Sequence, residues 1–238
     1  MRDFAEIWSY LAGSPLIWLT ATLVAYAIGD AAARAAGRAP LVNPVLVAVA
    51  LLAALLWVSD TPYPVYFEGA QFVHFLLGPA TVALAVPLHA ALPALRRALL
   101  PVAAALLAGS VTAIASALGI ALALGVSPET LVALAPKSTT APVAIGIAET
   151  LGGSPTLTAV LVIATGLFGA VIATPLLNAL GIRDWRARGL AVGVAAHGLG
   201  TARAFQVNPQ AGSFAGLGMG LNAVLTALLA PLELGLIR

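Results

Sequence analysis

Apolar runs long enough to cross a bilayer core of about 30 Å recur along the whole chain. They are continuous rather than alternating, which predicts helices and argues against a transmembrane β-barrel. The pattern places a first helix over residues 14–33 and a basic loop over 34–38. A second helix begins near Asn43-Pro44, with proline in the first turn where its missing donor does no harm, and reaches Trp57. An acidic, aromatic loop follows with Asp60, Tyr63, Tyr66, Phe67 and Glu68, suited to a membrane–water interface. An apolar segment over 72–92 carries Gly78-Pro79 in its interior and reads as a discontinuous helix. After Arg96-Arg97 a long span runs to about Leu124, and a central segment lies between Glu129 and Glu149. A span over 155–180 ends in the loop of Arg183, Arg186 and Arg188. The last two apolar segments cover 189–204 and 214–236.

Composition agrees. The chain has 238 residues, 61% hydrophobic and 8% charged, with mean hydropathy +1.03, against about 25% charged residues in soluble domains. The expected class is all-α: a polytopic helical membrane protein, residues 1–238 forming a single transmembrane domain of about seven or eight segments. The net charge of +2 resides in short arginine clusters between spans, where it sets membrane orientation; no nucleic-acid partner is expected. With no cysteine, disulfides and thiolate metal sites are excluded. The first apolar run is read as a retained helix rather than a signal peptide.

The stretch that stands out is Pro136-Lys137-Ser138-Thr139-Thr140-Ala141-Pro142, a polar knot between two apolar flanks. Each proline removes a backbone donor and disturbs the preceding turn. Broken backbone at membrane depth is tolerated only where protein or a water-filled cavity surrounds it. The stretch therefore reads as an interrupted helix or re-entrant hairpin lining a site; a proline-kinked helix with a snorkelling lysine is the plain alternative. Loop charge points the same way. The basic loops at 34–38, 96–97 and 183–188 belong on the cytoplasmic side, and this holds only if residues 129–152 enter and leave on one face or cross twice.

A second constellation is His197-Gly198-Leu199-Gly200-Thr201-Ala202-Arg203. His197 and Thr201 share a face if the segment stays helical through Gly198 and Gly200. A core histidine and a helix-end arginine are the alternatives. The glycines at 216, 218 and 220 suit close helix packing, and Asn222 is a hydrogen-bonding candidate or packing glue. His74 and His89 have no supporting neighbours and read as interfacial or packing residues.

The sign of charge selects the ligand class. The ionisable groups away from loops are cationic, Lys137 and Arg203, while Asp and Glu fall near helix ends. Lysine, arginine, hydroxyls and the N-termini of broken helices make a site for an anion, here a small carboxylate. No catalytic set, cofactor motif or metal-ligand cluster is evident, so the expectation is a non-enzyme without cofactor or metal.

Several strings together resemble the LrgB/CidB family: Asn43-Pro44; Gly78-Pro79-Ala80 with Val82-Ala83-Leu84-Ala85; Pro136-Lys137-Ser138 with Thr140 and Pro142; Ala187-Arg188-Gly189-Leu190-Ala191; His197 through Arg203; Gly212-Ser213-Phe214; and Met219-Gly220-Leu221-Asn222. The resemblance covers nearly the whole chain from about residue 40. It implies kinship with the carrier half of the plastidial glycolate/glycerate transporter. It also implies small-carboxylate transport, including pyruvate-like substrates, and control of murein hydrolases and autolysis. The implied fold is an inverted-repeat, elevator-type carrier. The implied setting is the bacterial inner (cytoplasmic) membrane, with a small holin-like (LrgA/CidA-type) partner, and a homodimer is one expected assembly. On this reading Lys137, Ser138, Thr139, Thr140, His197, Gly198, Gly200, Thr201, Arg203 and Asn222 bind substrate, and Asn43, Gly78, Pro79, Pro136 and Pro142 mark structural breaks. One departure matters. Where family members carry acidic residues after the Thr-Ala-Arg string, this chain has Phe205-Gln206-Val207-Asn208-Pro209-Gln210, which puts proton coupling through that stretch in doubt.

Overall fold

The structure, a computed structural model, describes residues 14–39, 42–76 and 98–236, with positions 79, 82, 89, 93 and 96 between them. Gly78, and with it the expected break at Gly78-Pro79, lies outside the described residues, as does the side chain of His74. The chain divides into two compact units, residues 1–83 and 84–238, and the described elements are all helical.

In the first unit, α1 (Pro15–Ala35) starts on the fixed φ of Pro15 and ends at Ala36, ahead of Gly37 with φ 60°. Helix α2 (Pro44–Val58) is set by Asn43, whose side chain accepts from the amides of Val45 at 2.8 Å and Leu46 at 3.4 Å. That is a helix cap, two orphan donors satisfied by one carbonyl. The two helices pack through Ala25, Ala48 and Leu52, and Gly29 lets the Pro44 carbonyl approach where any Cβ would overlap it. The acidic, aromatic stretch differs from the expected loop. From Tyr63 it is helix α3 (Tyr63–Phe75), because Tyr66 packs edge-on to the fully buried Trp18 at 6.0 Å. Gly69 seats the same helix against the Pro15 carbonyl.

The second unit is built on three long helices, α4 (Leu99–Ala123), α7 (Pro155–Ala179) and α9 (Pro209–Gly235). With α1, these are the four described helices long and apolar enough to cross a membrane. Helix α4 buries one narrow stripe, Val102, Leu106, Ser110, Ile114 and Leu118, whereas α9 is buried nearly all round from Phe214 to Met219. The outward faces stay apolar, with Leu107, Ile120, Phe168, Val224 and Leu228 exposed. A helix apolar all round belongs in lipid or in a large core.

Between the long helices are two broken elements. The first is α5 (Pro128–Leu134), a non-helical stretch over residues 135–140, then α6 (Ala141–Thr150). Its ends come back together: Gly153 sits against Val132 and Ala133, and Val126, Leu131 and Leu151 share one apolar cluster. Residues 128–150 thus form a helical hairpin broken at 135–140. The second is α8 (Trp185–Val207), which covers the apolar segment expected over 189–204. Its backbone leaves helical geometry at Ala196 (φ −128°, ψ 16°) and His197 (φ 41°, ψ −135°). The two halves fold together, since Gly200 lies against Ala196 and Val192. Each hairpin is followed directly by a long helix, α7 after the first and α9 after the second.

Glycine decides how closely α8 and α9 approach. A methyl on Gly189 would overlap the Ala211 carbonyl, and one on Gly193 the Ala215 carbonyl. Of the glycines expected to do this, Gly218 does meet Leu190, whereas Gly216 and Gly220 face open space. Helix α9 starts at Pro209, earlier than expected, because Asn208 caps it by accepting from Gln210 and Ala211.

Candidate functional site

The hairpin tips meet at Asn222 of α9. Its Nδ2 donates to the carbonyl of Ser138 in the first tip and to that of Val194 beside the second, each at 3.2 Å. Its Oδ1 accepts from Ser110 Oγ of α4 at 2.5 Å. Tip carbonyls and the last carbonyls of a helix run out of intrahelical donors, and a buried unpaired carbonyl costs about 1–3 kcal/mol. Asn222 is 1% exposed and both its amide hydrogens are engaged, so it acts as the strut between the two breaks.

The first tip presents its polar groups differently. Pro136 ends the approach of α5, and Lys137 follows, half-buried, with Nζ donating to Ser138 Oγ at 3.2 Å. Among the described residues no carboxylate forms an ion pair with Lys137. Thr139 is fully buried, and its Oγ1 has no hydrogen-bond partner. Thr140 is the N-cap of α6 but its side chain caps nothing, and Pro142 brings no N–H. The first-turn amides of Ala141 and Val143 therefore have no intrahelical acceptor, and they carry the positive end of the helix dipole.

The second tip contributes a second helix start. His197 holds a backbone conformation close to glycine-only territory. Its carbonyl accepts from Thr201 Oγ1 at 2.8 Å, so the two residues are linked across the first turn of the second half. The segment stays helical through Gly198 and Gly200, the condition for His197 and Thr201 to share a face, and the break falls just before it, at Ala196 and His197. The imidazole Nε2 pairs with the Val162 carbonyl of α7 at 2.8 Å, and Gly166 leaves room for the ring. That partner accepts only, so Nε2 carries the proton. Gly198 leaves open space beside the tip, with only the Met219 sulfur at the limit of contact.

A cavity of about 670 Å³ opens beside the tips, bordered by Lys137, Thr165, Phe168, Ile172, Leu176 and Ala196. Among the described residues, Lys137 is its one charged lining residue. The structure thus brings Lys137, Ser138, Thr139, Thr140, His197, Gly198, Gly200, Thr201 and Asn222 into one region. It does not bring Arg203 to that cavity. Arg203 borders a separate cavity of about 20 Å³ with Arg188, Trp185 and Thr174, and its Nη1 donates to Gln206 at 3.3 Å.

Two features were missed in the sequence. Ser110 looks like any small residue in an apolar span, and nothing marks it as Asn222's partner. By its place after the α7 span Arg188 reads as a loop charge, yet it is helical and 7% exposed. Its guanidinium donates to Asn178 Oδ1 at 2.8 Å and the Ile182 carbonyl at 3.0 Å, and lies over the Trp185 ring. Its burial follows the α7 C-terminus, whose carbonyls need donors.

The chain matches the LrgB-like family over residues 22–236. It belongs to that family. A holin-like protein CidB of Staphylococcus epidermidis is 34% identical over 192 residues, covering 81% of this chain and 84% of that relative. An uncharacterized protein of Haemophilus influenzae is 35% identical over 195 residues, covering 82% and 84%. The protein YwbG of Bacillus subtilis is 34% identical over 189 residues, covering 79% and 84%. No solved structure matches the chain. With its four apolar helices, this LrgB-like protein is a multi-pass membrane protein.

Proposed function

We propose that this LrgB-like protein is a secondary carrier of small organic monocarboxylates of the glycolate, glycerate or pyruvate kind, working in the bacterial inner membrane. The observation that carries the reading is Lys137: a cation without a described ion-pair partner, on the border of a wide cavity, beside two helix starts. A buried ammonium has to be compensated by counter-charge, hydrogen bonds or water, and a bound carboxylate supplies the first two at once. Ser138 and Thr139 give hydroxyl donors, the latter with no partner of its own, and the first turn of α6 gives amides. His197 holds the second tip to α7 and Asn222 ties both tips together, so these two position the site rather than line it.

A second reading rests on the names of the staphylococcal relatives, which are called holin-like. In that reading the chain acts with a small holin-like membrane partner of the LrgA/CidA type to control permeability, murein hydrolase activity and autolysis. One reconstitution separates the two. The purified chain alone in liposomes takes up labelled glycolate, glycerate or pyruvate if it is a carrier. Leakage that requires the small partner, with no uptake by the chain alone, would replace the carrier reading by the second.

A further inference from the structure

The wide cavity at Lys137 and the narrow one at Arg188 and Arg203 share a wall. Ala173 and Leu177 of α7 and Val192 of α8 line both. The narrow cavity, about 20 Å³, has room for about one water molecule, against about 670 Å³ on the lysine side. Among the described residues, the charged groups bordering the two spaces are cationic: Lys137 on one side of the wall, Arg188 and Arg203 on the other. Among the described residues no carboxylate pairs with Arg188, and the nearby Asp184 is held by Arg186 at 2.7 Å. Arg188 follows directly on the basic loop that belongs on the cytoplasmic side.

We propose that Arg188 and Arg203 form a second anion station on the basic-loop side, and that Leu177 and Val192 are the barrier an anion crosses between this station and Lys137. The inference rests on the carrier reading for the identity of the anion, a small carboxylate. The recorded geometry is then the state with the lysine side wide and the arginine side shut. A cation on each side of an apolar partition lowers the cost of the carboxylate at both ends. Neither station holds the anion so completely that it cannot leave. Arg188 is fixed by Asn178, Ile182 and Trp185 and does not move with the cargo.

The native chain has no cysteine, so Thr174→Cys places a single thiol at the narrow cavity while leaving the backbone carbonyl of residue 174 in place. The full chain in liposomes is treated with an anionic (sulfonatoethyl) and a cationic (trimethylammonioethyl) methanethiosulfonate. The anionic reagent should react about tenfold faster. Arg203→Gln should collapse that ratio toward one, and Leu177→Ala should speed modification from the lysine side. Glycolate or pyruvate should slow modification. Equal rates for the two reagents, a faster cationic reagent, a ratio unmoved by Arg203→Gln, or no modification at all would overturn the station. Arg203→Gln is chosen over Arg188→Gln, which removes a helix-end donor and endangers folding. Lys137→Met separates this inference from the carrier reading. Loss of uptake with the charge preference at residue 174 intact supports the station. Absence of carboxylate uptake by the unmutated chain, with that preference present, contradicts only the carrier.

Discussion

The break at residues 135–140 and the break at residues 196–197 are tied to the same Asn222, but they are made by different chemistry. The first is written in side chains. Pro136 and Pro142 deny the helix two donors, and Lys137 with its three hydroxyls cannot lie against lipid. The second has no proline and hardly any polarity. It is held by His197 with φ 41°, by the ring's bond to Val162, by the space at Gly166 and by the Asn222 bond to Val194. A break dictated by its own residues should tolerate the loss of distant partners; one imposed by tertiary contacts should not.

Substitution at the shared strut tests this most heavily. Asn222→Leu removes three buried hydrogen bonds, each worth about 0.6–1.7 kcal/mol between membrane helices. A loss of roughly 2–5 kcal/mol is expected in equilibrium unfolding in mixed micelles. Hydrogen exchange should rise more at residues 194–200 than at 135–140, and the reverse order would undo the distinction. At the second tip, His197→Gly should be more stable than His197→Ala by about 1–3 kcal/mol, because only glycine relaxes the backbone there. In a regular helix the order is opposite, alanine leading by about 1 kcal/mol, so alanine above glycine would mean that no kink exists. At the first tip, Pro142→Ala should cost less than about 1 kcal/mol. Pro136, Lys137 and the hydroxyls remain to keep the break, and single thiols at Glu129 and Glu149 should still label from the same side of the membrane.

The smallest effect lies at the start of α8, outside the apolar spans. Hydrogen bonds from the Arg186 side chain and amide hold the Asp184 carboxyl well below its ordinary range, at about 2. A depressed carboxyl contributes fully above its unfolded value and loses its contribution as pH falls through about 2. Asp184→Asn keeps the cap on the Arg186 amide. It should therefore differ little from the parent in thermal midpoint at pH 7, and the small difference should vanish in acid. Asp184→Ala should cost about 1 kcal/mol at pH 7 and less once the pH falls below about 2.

This contrast also explains what could be read in advance. The long spans and the polar break at residues 136–142 follow from hydropathy and proline, which are local properties, while loop charge leaves a hairpin and a double crossing equally open. The helix at Tyr63 was hidden because its stabilising partner, Trp18, is distant in sequence. The kink at His197 was hidden because the strain falls on histidine while glycines stand next to it, and because its supports come from α7 and α9. Charge alone groups Arg203 with Lys137. The backbone turn at residue 197 instead takes it to Arg188, and no spacing rule foresees that. Asn222 was visible as a polar residue in an apolar span, but its role as strut needed Ser110, Ser138 and Val194 in place.

The account depends above all on Lys137 as the group that receives the anion. Calorimetric titration of folded protein with glycolate and pyruvate, for the parent chain and for Lys137→Met at equal concentration, tests it directly. Binding should be present in the parent and absent in the methionine variant. The variant should fold as well as the parent or better, because a buried charge has been removed. Lys137→Arg should bind poorly through misfit of the larger, forked group. Unchanged carboxylate affinity in Lys137→Met would contradict the account, leaving the lysine as a packing or anchoring residue.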